Sequence, residues 1–165
     1  MRKIIILIIV IVIIGGGFWW WQQSSVTTQN NQTKNWQTYQ NNPYRFKFDY
    51  PKEWNVTKIE GSDTWFINKT IFTNKGIMPP PLLSISITNK DVYHKKIEAI
   101  AIEYKNIKNM TVDNYSAEKQ SYFSNMLNDD VYLINIEKDD NIYSIQSQND
   151  DDIFQYLVDS FQFMD

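Results

Sequence analysis

Residues 44–54 read Tyr-Arg-Phe-Lys-Phe-Asp-Tyr-Pro-Lys-Glu-Trp (YRFKFDYPKEW), and this stretch decides the fold. Tyr44, Phe46, Phe48 and Tyr50 alternate with Arg45, Lys47 and Asp49, the period-two pattern of a strand with one buried face. Four rings on one face are a large apolar surface that needs a core to cover it. Pro51 has no amide hydrogen to give a ladder and ends the strand, and Trp54 adds another ring just beyond the corner.

Working outward toward the C-terminus, the sequence predicts strands first. Trp54, Val56 and Lys58 continue as a second strand, broken at Gly61-Ser62, and Thr64 to Thr73 form a third. Asn74-Lys75-Gly76 is a turn signal, Pro79 to Pro81 an extended stretch, and Leu82 to Thr88 a fourth strand with Leu83, Ile85 and Ile87 on one face. A helix follows, capped by Asn89 or Asp91, with Val92, Ile97, Ile100, Ala101 and Tyr104 at helical spacing and an end near Lys105 to Asn109. Met110 to Tyr115 and Glu118 to Ser124 read as short strands around a turn at Asn114 to Ala117. Val131 to Glu137 and Ile142 to Gln148 read as a hairpin. The acids at Asp150 to Asp152 start a terminal helix with Ile153, Tyr156, Leu157 and Ser160 on its apolar face, and Phe161 and Phe163 close the chain. The expected fold class is α+β, with a mainly antiparallel sheet flanked by helices on both faces.

Working outward toward the N-terminus, Arg2 and Lys3 precede an uncharged run from Ile4 to Trp21, eighteen residues that include Ile14 and end in Trp19, Trp20 and Trp21. About 17–25 apolar residues span a bilayer as a helix, and tryptophans at the far end suit an aromatic belt. The competing reading is a cleaved signal peptide. Its usual apolar region is shorter, and bulky Trp stands here where a small-residue cleavage site is expected. The residues therefore predict an uncleaved single-pass signal-anchor over 1–21. Positive charge before the helix and none just after it places the N-terminus in the cytoplasm and the rest outside the cell membrane. Residues 22–42, rich in Gln, Ser, Thr and Asn, read as a flexible polar tether in which Trp36 and Tyr39 dock on either the domain or the bilayer. The domain itself runs from 43 to 165.

The opening motif Tyr44, Phe46, Phe48, Tyr50, Pro51 and Trp54 resembles that of PsbP-like domains, which include small membrane-anchored bacterial proteins of unassigned role. Ile153 to Phe163 resemble the close of those domains, so the likeness spans 43–165. The resemblance implies an α/β/α sandwich. It implies no catalytic residue, because the family shares no active site. Some relatives are photosynthetic extrinsic proteins that help retain calcium and chloride, but the scattered acids and single His here match no such site.

Composition narrows the chemistry. With no Cys there is no disulfide, thiolate metal site or Cys nucleophile. One His excludes any multi-histidine metal cluster. Setting aside Arg2 and Lys3 takes the 16 basic residues to 14 against 19 acidic, a charge of -5 that argues against nucleic acid as a partner. His94 is read as a surface residue without a Ser or Asp context. Asp129-Asp130, Asp139-Asp140 and Asp150 to Asp152 lack the alternation and Gly of a calcium loop and are read as turns and caps. Acceptor matches at Asn55, Asn68, Asn109 and Asn114 are read as chance in an Asn-rich chain, and Gly15 to Gly17 lack helix-pairing spacing. No catalytic, cofactor or metal site is expected. The leading expectation is a non-enzymatic, membrane-tethered extracytoplasmic domain that binds or scaffolds another envelope component. The alternative is a small-ligand pocket between the 92–104 helix and the aromatic sheet, and an enzyme of unrecognised type comes third.

Overall fold

A computed structural model describes residues 35–69, 83–100 and 102–165. The anchor residues Ile4, Ile14, Trp19, Trp20 and Trp21, with most of the tether, the 74–76 turn and the Pro79 to Pro81 stretch, lie outside the described residues. Among the described residues no helix is long and apolar enough to cross a membrane.

Gln37–Asp165 form one compact unit. Its larger sheet has seven strands: β3 (Asn55–Lys58), β4 (Thr64–Asn68), β5 (Leu83–Asn89), β6 (Lys105–Val112), β7 (Tyr115–Ser124), β8 (Asp129–Lys138) and β9 (Asn141–Ser147). They run in the order β3-β4-β5-β9-β8-β7-β6, every pair antiparallel. A smaller sheet contains β1 (Trp36–Asn41), β2 (Phe46–Pro51) and β10 (Gln162–Phe163), ordered β1-β2-β10. Two helices complete the described fold, α1 (Lys90–Ile100) and α2 (Asp152–Ser160).

The predicted mainly antiparallel sheet with a helix on each face is present, and the aromatic strand takes a place of its own. β2 does not join the large sheet. It forms the middle of the small one, which together with α2 covers one face of the seven strands. Phe46 and Phe48 are fully buried there, and Tyr44, Tyr50 and Trp54 pack against them half-buried. Phe46 is the hub. Its ring stacks on Phe161 at 5.4 Å and meets Trp65 and Tyr143 edge-on at 5.6 and 6.2 Å. Trp65, Ile85, Ile145 and Ile134 stand opposite one another across four strands and supply the floor.

Four further details differ from the sequence reading. Tyr44 belongs to the turn before β2, because Arg45 takes a left-handed φ of 53° and stops the alternation. Residues 36–41, read as tether, form β1, where Tyr39 packs at 5.2 Å from Phe48 and so docks on the domain. α1 stops at Ile100, and Lys105 onward pairs with β7 as β6, so strand pairing overrides the helical spacing there. The β6–β7 turn is Asp113-Asn114, both at positive φ (48° and 67°), the two-residue turn that matches strand twist. It begins one residue earlier and is shorter than the sequence suggests.

Both helices start as their caps dictate. Asn89 Oδ1 accepts the Asp91 amide at 3.1 Å, and Asp151 Oδ1 accepts that of Phe154 at 2.9 Å. On α2 the buried residues are Phe154, Leu157 and Val158, so the helix is turned from the predicted face of Ile153, Tyr156, Leu157 and Ser160. Packing against β2 selects the larger apolar side chain at 154 and leaves Ile153 and Tyr156 half-buried.

Candidate functional site

The second face of the seven-stranded sheet differs in chemistry from the first. One cross-strand row runs Thr64, Ser86, Ser144, Asn135, Glu118, Asn109 in direct register through six strands, without an apolar side chain. The next row is Phe66, Ser84, Gln146, Leu133 and Gln120. Several of these polar groups are withdrawn from water: Gln120, Asn135 and Ser144 are all buried. Burying such groups is costly unless they are hydrogen-bonded. Here they are. Ser144 Oγ donates to Asn135 Oδ1 at 2.7 Å, and Asn135 Nδ2 donates to the Tyr93 hydroxyl at 2.6 Å.

Tyr93 comes from α1, so the helix that covers this face is attached through a polar chain. No α1 residue is buried; Val92 and Ile100 are exposed and Ile97 is half-buried. The predicted apolar stripe therefore does not seat the helix, because the floor beneath offers hydrogen-bonding groups. Further hold comes from the ion pair between Lys90 and Glu137 and from the Lys90 amide, which donates to Asp140 O at 2.9 Å.

Two depressions result. A cleft of about 250 Å³ opens between α1 and the polar row, lined by Tyr93, His94, Asn109, Glu118, Asn135 and Glu137 among others. A wider hollow of about 450 Å³ lies at the far end of α1 and is lined by Ile100, Ile102, Glu103, Lys105, Tyr122 and Phe123 among others. Beside the cleft, Tyr93, Tyr104 and Tyr122 cluster, with the Tyr104 and Tyr122 rings edge-to-face at 5.8 Å. Burial is the main reason all three phenols titrate above the ordinary tyrosine range; the Glu118 carboxylate adds to the rise at Tyr93 and Tyr104.

The residues singled out in the sequence fall elsewhere. Of the motif residues, Tyr44, Phe46, Phe48, Tyr50 and Trp54 build the core on the opposite side of the sheet and Pro51 ends β2, so the cleft under α1 is floored by the polar row and not by aromatic residues. His94 is exposed at the rim of the cleft. The acidic groups divide: Asp139 takes a φ of 52° in a turn and Asp151 caps α2 as expected, whereas Asp129 and Asp130 open strand β8 and Asp150 pairs with Lys119 at 2.7 Å. Among the described residues no three His, Asp or Glu side chains are grouped to hold a metal ion.

Sequence reasoning missed Glu118, Asn135 and Tyr93. A signal for them is present in β8, where Val131 and Leu133 alternate with Tyr132, Ile134 and Ile136. Apolar residues on both faces mark a strand covered on both sides. Asn135 in such a strand is then a buried polar residue in need of partners.

This arrangement, an antiparallel sheet with a helix on each face, is the PsbP-like fold. The solution structure of cyanobacterial PsbP (CyanoP) from Synechocystis sp. PCC 6803 superimposes with a TM-score of 0.54 at 13% identity, covering 78% of this chain and 92% of that one. At that identity the likeness is one of fold alone. No protein-family model and no curated protein matches the sequence.

Proposed function

We propose that this protein is a single-pass, membrane-tethered domain on the outer side of the cell membrane, without catalysis of its own, that binds another envelope component. The supporting observation is the apolar surface at the α1 end of the sheet. Ile100 is 61% exposed, Phe123 49% and Met126 86%. Ile100 and Phe123 line the same hollow, and Met126 stands in the turn that follows β7. Large apolar side chains left exposed around one hollow mark a place where a partner sits. The uncharged run Ile4 to Trp21 supports the tether.

The test uses the full-length chain in its native membrane, with a photoreactive residue in place of Phe123 or Met126 and, as a control, Glu53 in the β2–β3 turn. The expected result is one adduct shared by positions 123 and 126 and absent from 53. Equal, unspecific labelling at all three positions would refute the proposal.

A second reading, a site for a small ligand, is favoured by one observation: the cleft under α1 places a carboxylate, amides and a phenol around a common space.

A further inference from the structure

We infer that the cleft beneath α1 takes a small organic ammonium ion, held by the carboxylate of Glu118. This rests on the reading of that cleft as a small-ligand site, and it adds the class of ligand.

The argument begins with charge. Two carboxylates line the cleft, Glu118 and Glu137. Glu137 already pairs with Lys90. Glu118 has no ion-pair partner among the described residues, although lysines flank it closely in sequence and register. Lys119, the next residue in β7, points to the other face of the sheet and pairs with Asp150. Lys108 stands opposite Lys119 in the register and therefore shares that other face. Among the described residues, His94 at the rim is the one basic group lining the space. The half-buried Glu118 carboxylate is thus the uncompensated charge of the floor, and its partial burial reduces the solvent screening of its pull on a cation.

The neighbours of Glu118 select among cations. In the cross-strand row it stands between Asn109 and Asn135; Asn135 Oδ1 already accepts the Ser144 hydroxyl, so the free amide acceptor beside Glu118 is that of Asn109, and the aromatic residue Tyr93 lines the same cleft. Acceptors beside an aromatic face suit an alkylammonium group, through both hydrogen bonds and attraction to the ring. A divalent metal needs several oxygen or nitrogen donors converging at ~2.0–2.6 Å, and the described acidic and His side chains do not converge in that way. An anion meets two carboxylates. A neutral polyol leaves the charge of Glu118 unanswered. Size sets the last limit: about 250 Å³ lies below the ~300–1,000 Å³ of ordinary ligand pockets. The ligand is therefore a compact ammonium compound, no larger than a single amino sugar.

The full-length chain in a non-ionic detergent is titrated with choline, ethanolamine and glucosamine, and in parallel with glucose and calcium chloride, by calorimetry and by tyrosine fluorescence. At least one of the three ammonium compounds is expected to bind with a Kd of about 1 mM or tighter. Glu118→Gln should weaken that binding at least tenfold while leaving the melting temperature unchanged. Glu118→Asp, which keeps the charge, should retain part of the affinity and serves if the amide variant is unstable. Ammonium binding that survives Glu118→Gln undiminished, or glucose binding as tightly as glucosamine, overturns the assignment of the ligand class while sparing the small-ligand reading. Calcium binding tighter than that of every amine overturns it in favour of a metal. No binding of any probe at about 10 mM overturns both readings.

Discussion

Burial pushes the phenol of Tyr104 well above the ordinary tyrosine range, and the neighbouring Tyr93, Tyr122 and Glu118 raise it further by disfavouring a second negative charge. The consequence for stability follows from linkage. In the unfolded chain the phenol loses its proton near pH 10, whereas the folded protein keeps it to higher pH. Between those two values the folded state binds more protons, so stability falls as pH rises. The contribution is whole below the unfolded pKa and is lost above it. Tyr93 and Tyr122 act in the same direction, mainly through burial. Wild-type protein should therefore lose resistance to urea between about pH 9 and about pH 12, and Tyr104→Phe should lose markedly less over that interval. Parallel urea melts at the two pH values measure this. An identical loss in both proteins would show that Tyr104 does not carry the effect.

At the scale of elements, helix starts are the places where one side chain decides most. Asp151 accepts the Phe154 amide, and Asp152 adds a second carboxylate to the first turn of α2, where negative charge favours the helix dipole. Asp151→Ala should cost about 1 kcal/mol, seen as a fall in Tm of roughly 3–6 °C, while Asp151→Asn should keep most of the stability. Thermal melts followed by circular dichroism distinguish the two. Caps of this kind were legible in the sequence, as were β5, the β8–β9 hairpin and the buried alternation of Phe46 and Phe48, because each rests on contacts between near neighbours. The face of α1 was not legible. Its apolar spacing promised a buried stripe at Val92 and Ile100, but the floor it meets is set by cross-strand register, which joins Asn109, Glu118, Asn135 and Ser144 from four separate stretches of sequence. Single polar residues in alternating strands read as solvent-facing until both faces of the sheet are known to be covered. The candidate site was hidden for that reason, and the aromatic motif, easy to see, went to the core.

At the scale of the described domain, the fold is closed by Phe161 to Phe163. β10 is only two residues long, yet it pairs Gln162 with Lys47 and Phe163 with Phe46, and so joins the end of the domain to its aromatic strand β2. Phe161 is buried and stacks on Phe46. Phe163 lies edge-to-face with Tyr115 at 4.7 Å and with Tyr143 at 4.8 Å, and the Lys138 ammonium sits 4.3 Å above its ring. The Phe163 amide donates to Asp113 Oδ2 at 2.7 Å, which ties the β6–β7 turn to the same corner. Both sheets and two hairpin turns therefore meet at these two rings. Losing one buried Phe side chain costs about 3–5 kcal/mol, a large share of the ~5–15 kcal/mol by which domains are stable. A chain ending at Ser160 loses Phe161 and Phe163 together and uncovers Phe46. It should show no cooperative thermal transition at 25 °C or above and should be cleaved rapidly by protease, whereas the milder Phe163→Leu should melt cooperatively at a lower temperature. A truncated chain that melts like the intact one would mean that β2, α2 and the seven-stranded sheet seal the core without the terminal strand.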